Sequence, residues 1–187
     1  MKPRIPPTMA ADRDERTEEL LAVMRRPDGT DLNIFATLAH HPKLLKRWSD
    51  FGATLLFGGH LPGRDRELLI LRTAWLCKAK YEWGQHVLIG HAAGLTDDEI
   101  ERIPNDEIAS QWSPLDQALL TAVDELHEQG RISDGTWEAL ADEYDYRQLI
   151  EVCMIVGQYH MVAFTLNSLG VELEEEPGLA RFPEGRA

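Results

Sequence analysis

Residues 66–100 read RELLILRTAWLCKAKYEWGQHVLIGHAAGLTDDEI, and this stretch decides the fold. Leu68, Leu69, Ile70, Leu71, Ala74, Trp75 and Leu76 make the segment from Arg64 to Cys77 apolar over most of its girth. No strand-like alternation runs through it, and a helix with so wide an apolar face is normally buried on most sides. A break at Lys78-Ala79-Lys80 leads to a second helix, from Tyr81 to about Ala93, which Gly94 closes from the C′ position. Thr96-x-x-Glu99 is a capping box that opens a short helix ending before Pro104.

The same period continues on both sides. Upstream, Asp12 to Arg26 places Leu20, Leu21, Val23 and Met24 on one side and stops at Pro27, and Asn33 to His40 forms the next helix. Pro42 opens a third, running to about Leu56, since its missing N–H would be unpaired there anyway. Downstream, Ser113 caps a helix with Pro114 at N1 and Asp116 in its first turn, where a negative charge suits the dipole. Gly130 stops it, and Ser133 begins another, to about Tyr144. The last helix, Tyr146 to Ser168, is the longest and is apolar nearly all round its middle; Gly170 ends it. The pattern predicts an all-α bundle with two very apolar helices at its centre. It reads as one domain over residues 1–187, with a flexible N-terminal end (1–11) and an extended acidic C-terminal tail (172–187). Central helices of this kind bury more surface than one protomer covers, so a homo-oligomer is expected.

Composition narrows the function. Nineteen Lys and Arg against 32 Asp and Glu give a formal charge of −13, which disfavours nucleic acid and anionic lipid as partners. No apolar run approaches the ~20 residues of a membrane span. The opening MKPRIPPTMAADRDER has no hydrophobic signal core, so a cytoplasmic location is expected. Two cysteines, Cys77 and Cys153, do not make a disulfide framework in a chain of this length.

Glu82 and His86 are four apart on one helix and share a face. Glu67 lies in the preceding apolar helix, where an unpaired carboxylate is costly. Two carboxylates and an imidazole converging in an apolar setting shift one another's pKa, as proton-transfer sites require. Spacing alone does not separate this reading from a solvated helix face, and Tyr81, Trp83 and Trp75 read equally well as core. No His-Glu-x-x-His or other motif-grade ligand pair is present, so no metal is expected. No Gly-x-Gly-x-x-Gly or phosphate loop points to a cofactor. Gly84 and Gly90 suggest close helix–helix approach.

These residues resemble the carboxymuconolactone decarboxylase family, in its subset with a Tyr-Glu-Trp-x-x-His signature. The upstream Phe35-x-x-Leu38-x-x-His41-Pro42 is similar to this subset, as are Tyr159-His160-Met161 and Asn167-x-Leu169-Gly170-Val171 downstream. The resemblance implies the all-helical alkyl hydroperoxidase D-like fold and trimers or hexamers. In the redox branch of that fold a glutamate precedes a Cys-x-x-Cys pair, with a histidine four residues after the second cysteine. Laid on this sequence, the glutamate falls on Glu67, the histidine on His86, and the two cysteine positions on Ala79 and Glu82. Both thiols are absent. Cys77 is two residues from the first position, a turn of about 200° on a helix.

What remains is an acid–base set, Glu67, Glu82 and His86. It fits decarboxylation or isomerisation of a small organic acid or lactone, with His86 as proton donor or base, Glu82 orienting it and Glu67 completing the relay. Tyr81, Trp83 and His160 are candidates to line the substrate pocket. Two alternatives stand beside this lyase reading. One is peroxide or thiol reduction through Cys77; the other is a non-catalytic oligomer that binds a small molecule.

Overall fold

The computed structural model describes residues 3–105, 112–175 and 179–183, and its regular elements there are all helical. In chain order they are α1 (Glu15–Ala22), α2 (Asn33–Leu38), α3 (Pro42–Phe57), α4 (Gly63–Leu76), α5 (Lys80–Ala92), α6 (Asp97–Arg102), α7 (Pro114–Gln129), α8 (Asp134–Ala141) and α9 (Tyr146–Leu169). A short 3-10 turn, Ala10–Asp12, precedes them.

α4 is the hub. Every residue from Glu67 to Ala74 is buried, because α5, α7 and α9 each pack along a different side of it. This is the arrangement that its wide apolar face requires. α9 is the second central helix, with Leu149, Val152, Ile155, Val156, Tyr159 and Ala163 in the same core. By length and composition α9 is apolar enough to cross a membrane, contrary to the reading of the sequence in runs, and about half of its apolar stretch is buried inside the protein. α1, α2 and α3 form a satellite layer around Leu21, Ala39 and Leu45, with Phe35 and Trp48 packed against them.

Local chemistry sets the ends. The Thr96/Glu99 capping box is present, Ser113 accepts from the Asp116 N–H, and Gly130 and Gly170 are left-handed, as expected. Several boundaries differ: α1 ends at Ala22 rather than Arg26, and α2 at Leu38 rather than His40. Asp14 accepts from the Thr17 N–H and starts α1 at Glu15, and α8 stops at Ala141, before Tyr144. Tyr144 turns inward instead, and its hydroxyl donates to Asp65 at 2.7 Å.

The segments described before α1 and after α9 are both tied to the body. The Arg4 N–H donates to the Leu169 carbonyl at 2.8 Å and the Thr8 N–H to that of Ala36 at 3.0 Å, so the N-terminal end expected to be loose is hydrogen-bonded. Beyond α9, the tail folds back over α5. A Cβ at Gly84 would lie 2.6 Å from Cδ2 of Leu173 and 3.2 Å from the Ala180 carbonyl oxygen. The close approach that Gly84 permits is therefore to the tail, not to another helix. Phe182 completes the contact, stacked on Trp75 with centroids 5.2 Å apart and edge-on to Trp83 at 5.8 Å. Glu176 and Pro177 of the acidic run lie outside the described residues.

Candidate active site

Glu67 is fully buried on α4 and has two partners. Arg66, the next residue back, donates from Nε to Oε1 at 2.9 Å, and Nδ1 of His86 on α5 meets Oε2 at 2.7 Å. A carboxylate already paired with a guanidinium accepts here, so His86 Nδ1 carries the hydrogen and Nε2 is the nitrogen left for a ligand. The edge-to-face ring of Tyr159 on α9, with centroids 4.8 Å apart, fixes the plane of the imidazole.

Glu82 stands one turn before His86 and is only 2 % exposed. Neither of its carboxylate oxygens has a hydrogen-bond partner among the described residues. Burial therefore pushes its carboxyl well above the usual range. Burial without a partner disfavours the ionised form, so this carboxyl keeps its proton to higher pH than a free one. This reverses the expected roles of the two glutamates. Glu67, nineteen positions from His86, orients the imidazole, whereas Glu82, four positions away on the same helix, does not touch it. The i, i+4 spacing brings the side chains to one face but does not choose between partners.

Glu82 and His86 line a cavity of about 600 Å³ between α5 and α9 on one side and the α1–α3 layer on the other. That is the size of a small-ligand pocket. Its walls are largely apolar, from Met24, Phe35, Trp48, Leu56, Ile89 and Val162, with Tyr81, Gln85, Gln158 and Tyr159 adding polar groups. The amide oxygen of Gln158 is a further buried acceptor with no partner among the described residues. Buried oxygens left unsatisfied beside a cavity are the usual mark of a site that expects a ligand or water.

At the rim, Glu174 of the tail accepts from the Tyr81 hydroxyl at 2.8 Å, from Gln85 Nε2 at 2.6 Å and from the Asn33 N–H at 2.7 Å. Burial, and Glu174 beside it, push the Tyr81 phenol well up, so it stays a neutral donor. Tyr81 is thus at the cavity as expected. Trp83 is not: it sits in the core against Trp75 and Phe182. Nor is His160, which is absent from the cavity wall and turns to His127, with Nε2 2.9 Å from Nδ1 of that ring. One step along α9 rotates a side chain by about 100°, which is why Tyr159 reaches His86 and its neighbour does not. Sequence reasoning missed Gln158 and Glu174. Gln158 interrupts an apolar helix, a usable signal; Glu174 sits in an acidic run with nothing to distinguish it.

The arginines of α4 pair with acids: Arg66 with Glu67, and the others across helices. Arg72, 2 % exposed, donates to both oxygens of Asp124, and Arg64 bridges Asp116 and Glu99. Cys77 and Ala79 do not lie on one helix, so the 200° rotation between them does not apply. Cys77 caps the end of α4, and Ala79, in the core, precedes α5. Burial raises the Cys77 thiol to about 11, with Glu82 adding to the effect.

Against known proteins, residues 42–125 match the carboxymuconolactone decarboxylase family, from the start of α3 to near the end of α7. No curated protein matches the sequence. Among solved structures, a peroxidase-related protein from Ralstonia eutropha JMP134, described as an alkylhydroperoxidase AhpD core, superposes with a TM-score of 0.81 at 16% identity, over 92% of this chain and 93% of its own. A peroxidase-related protein from Silicibacter sp. TM1040 gives 0.78 at 13%, over 94% and 95%. The debrominase Bmp8 gives 0.74 at 13%, over 91% and 92%. At these identities the likeness establishes the fold, an alkyl hydroperoxidase D-like helical bundle, within which residues 42–125 match the carboxymuconolactone decarboxylase family.

Proposed function

We propose that this protein is an enzyme of proton transfer, acting by decarboxylation or isomerisation on a small organic acid or lactone bound between the α1–α3 layer and α5/α9. One observation carries the reading: a buried carboxyl without a hydrogen-bond partner among the described residues, Glu82, and an imidazole held by Glu67 line one largely apolar cavity. Nε2 of His86 takes a proton from carbon next to a carbonyl, and Glu67 steadies the imidazolium that forms. Glu82 delivers its proton to the charge that develops on the substrate, at oxygen or at the carbon that loses carbon dioxide. The low-polarity walls strengthen both exchanges by excluding water. Arg66, paired to Glu67, holds that carboxylate in place. Tyr81 and Gln158 offer a donor and an acceptor that orient the ligand.

The redox alternative is weaker on physical grounds. A thiol near 11, at the C-terminal end of a helix, is almost wholly protonated at neutral pH, and thiolate is the form that attacks peroxide. A homo-oligomer belongs to the same proposal. Tyr146, Ile150, Met154, Met161 and Phe164 leave an apolar stripe exposed along α9, and a second copy would cover it.

The test is a panel of small unsaturated acids and lactones incubated in D₂O, with solvent deuterium incorporation read by NMR. Thiol-dependent peroxide consumption is measured beside it, using a Cys77→Ala/Cys153→Ala double variant. Turnover or exchange should disappear in His86→Ala while the fold persists. A folded, fully active His86→Ala enzyme would overturn the assignment. Peroxide turnover that vanishes only in the double cysteine variant would replace it with the redox reading.

A further inference from the structure

Cys77, His127 and His160 are far apart in sequence and meet where the C-terminal ends of α4 and α7 reach the middle of α9. Their donor atoms, one sulfur and one nitrogen from each ring, all lie within 4.8 Å of one another. Cys77 is the C-cap of α4, His127 is in the last turn of α7, and His160 is midway along α9. α4 packs against both other helices, so the three backbones are positioned by the core rather than by loops.

Two hydrogen bonds prepare the set. His160 Nδ1 donates to the Val156 carbonyl at 2.8 Å, which leaves Nε2 as the lone-pair nitrogen facing His127. A backbone acceptor behind the ring is the usual device that orients a metal-binding imidazole. Asn167 Nδ2 donates to the Cys77 carbonyl at 2.8 Å and holds the turn that presents the thiol. One thiol and two imidazoles form a borderline-soft donor set, and three protein ligands leave a fourth tetrahedral position open. Bond lengths around zinc imply donor atoms about 3.3–3.6 Å apart. The histidine pair has only to open slightly from 2.9 Å, and the thiol to close by a side-chain rotation.

We propose that Cys77, His127 and His160 bind one Zn²⁺ per chain, with water or a small ligand in the fourth position. Binding forms a Zn–S bond and releases the thiol proton to solvent, without change of oxidation state. None of the three residues lines the Glu82/His86 cavity, so the site stands whether or not the proton-transfer reading does.

The full-length protein, stripped with chelator, is titrated with Co²⁺ and then Zn²⁺. The expected result is one Co²⁺ per chain, with thiolate-to-cobalt charge-transfer absorption and the ligand-field bands of a four-coordinate ion. Zn²⁺ should displace it and raise the melting temperature. Cys77→Ser should abolish the charge-transfer band, and His127→Ala and His160→Ala should each weaken binding by about tenfold or more. His127 is exposed, so its variant keeps the fold and the test stays decisive if another variant does not. Folded wild-type protein that gives no cobalt–thiolate band would overturn the proposal. So would a band that survives both Cys77→Ser and His127→Ala, or binding that disappears instead in His86→Ala.

Discussion

Glu82→Gln alters one proton and almost no volume, which makes it a direct probe of the buried acid. In the unfolded chain Glu82 titrates near 4.5, and burial raises it well above that in the folded protein. Below pH 4.5 both states carry the proton, and the carboxyl imposes no charge penalty. As pH rises, the unfolded chain releases the proton while the folded one keeps it. The stability associated with the protonated acid, full below 4.5, is therefore lost as pH climbs toward the folded value. The slope is about 1.4 kcal/mol per pH unit wherever the unfolded chain has ionised and the folded one has not. Gln does not titrate and escapes the loss. Urea unfolding of both proteins from pH 4 to pH 8 should show nearly equal stability at the acid end. Above pH 4.5 the variant should gain steadily, until the folded protein also ionises and the difference levels off. The groups that feel this carboxyl or stand beside it, Cys77, Tyr159, Glu67 and His86, are present in both proteins. A difference that does not change with pH, or a variant less stable at neutral pH, would refute the claim that Glu82 is buried without a partner.

Two further substitutions test how the ends of α5 are held. Gly84→Ala drives a methyl group into Leu173 and against the Ala180 carbonyl. It should loosen the tail and cost about 1 kcal/mol or more, seen as faster proteolysis after Gly170 and altered fluorescence of Trp75 and Trp83 as Phe182 leaves them; an unchanged cleavage pattern would count against a docked tail. Lys78 is left-handed, with φ 53°, at the end of α4, where the Ala79 N–H closes back on the Ala74 carbonyl at 2.8 Å. Lys78→Gly should relieve that strain and raise stability by up to about 1 kcal/mol in urea unfolding, and a lowered midpoint would contradict it.

The helical fold was legible because its signals are local. The apolar run Leu68–Leu71, the Thr96/Glu99 box, Ser113-Pro114, Gly130 and Gly170 each act within a turn or two of chain, where the periodicity and the orphaned backbone groups are already defined. Glu67, Glu82 and His86 were legible as a set because ionisable groups are conspicuous in apolar helices. Their roles were not, since hydrogen bonds are made by distance across helices. Packing of α4 on α5 carries Glu67 to His86 and leaves Glu82 without a hydrogen-bond partner among the described residues. The same holds for the aromatic and histidine candidates. A rotation of one residue along α9 gives Tyr159 to the cavity and His160 to His127 and Cys77, and Gly84 admits a tail whose course no nearby residue announces. Periodicity is a property of one helix and can be read along the chain; which face meets which neighbour depends on the crossing of two, and only the packed bundle supplies it.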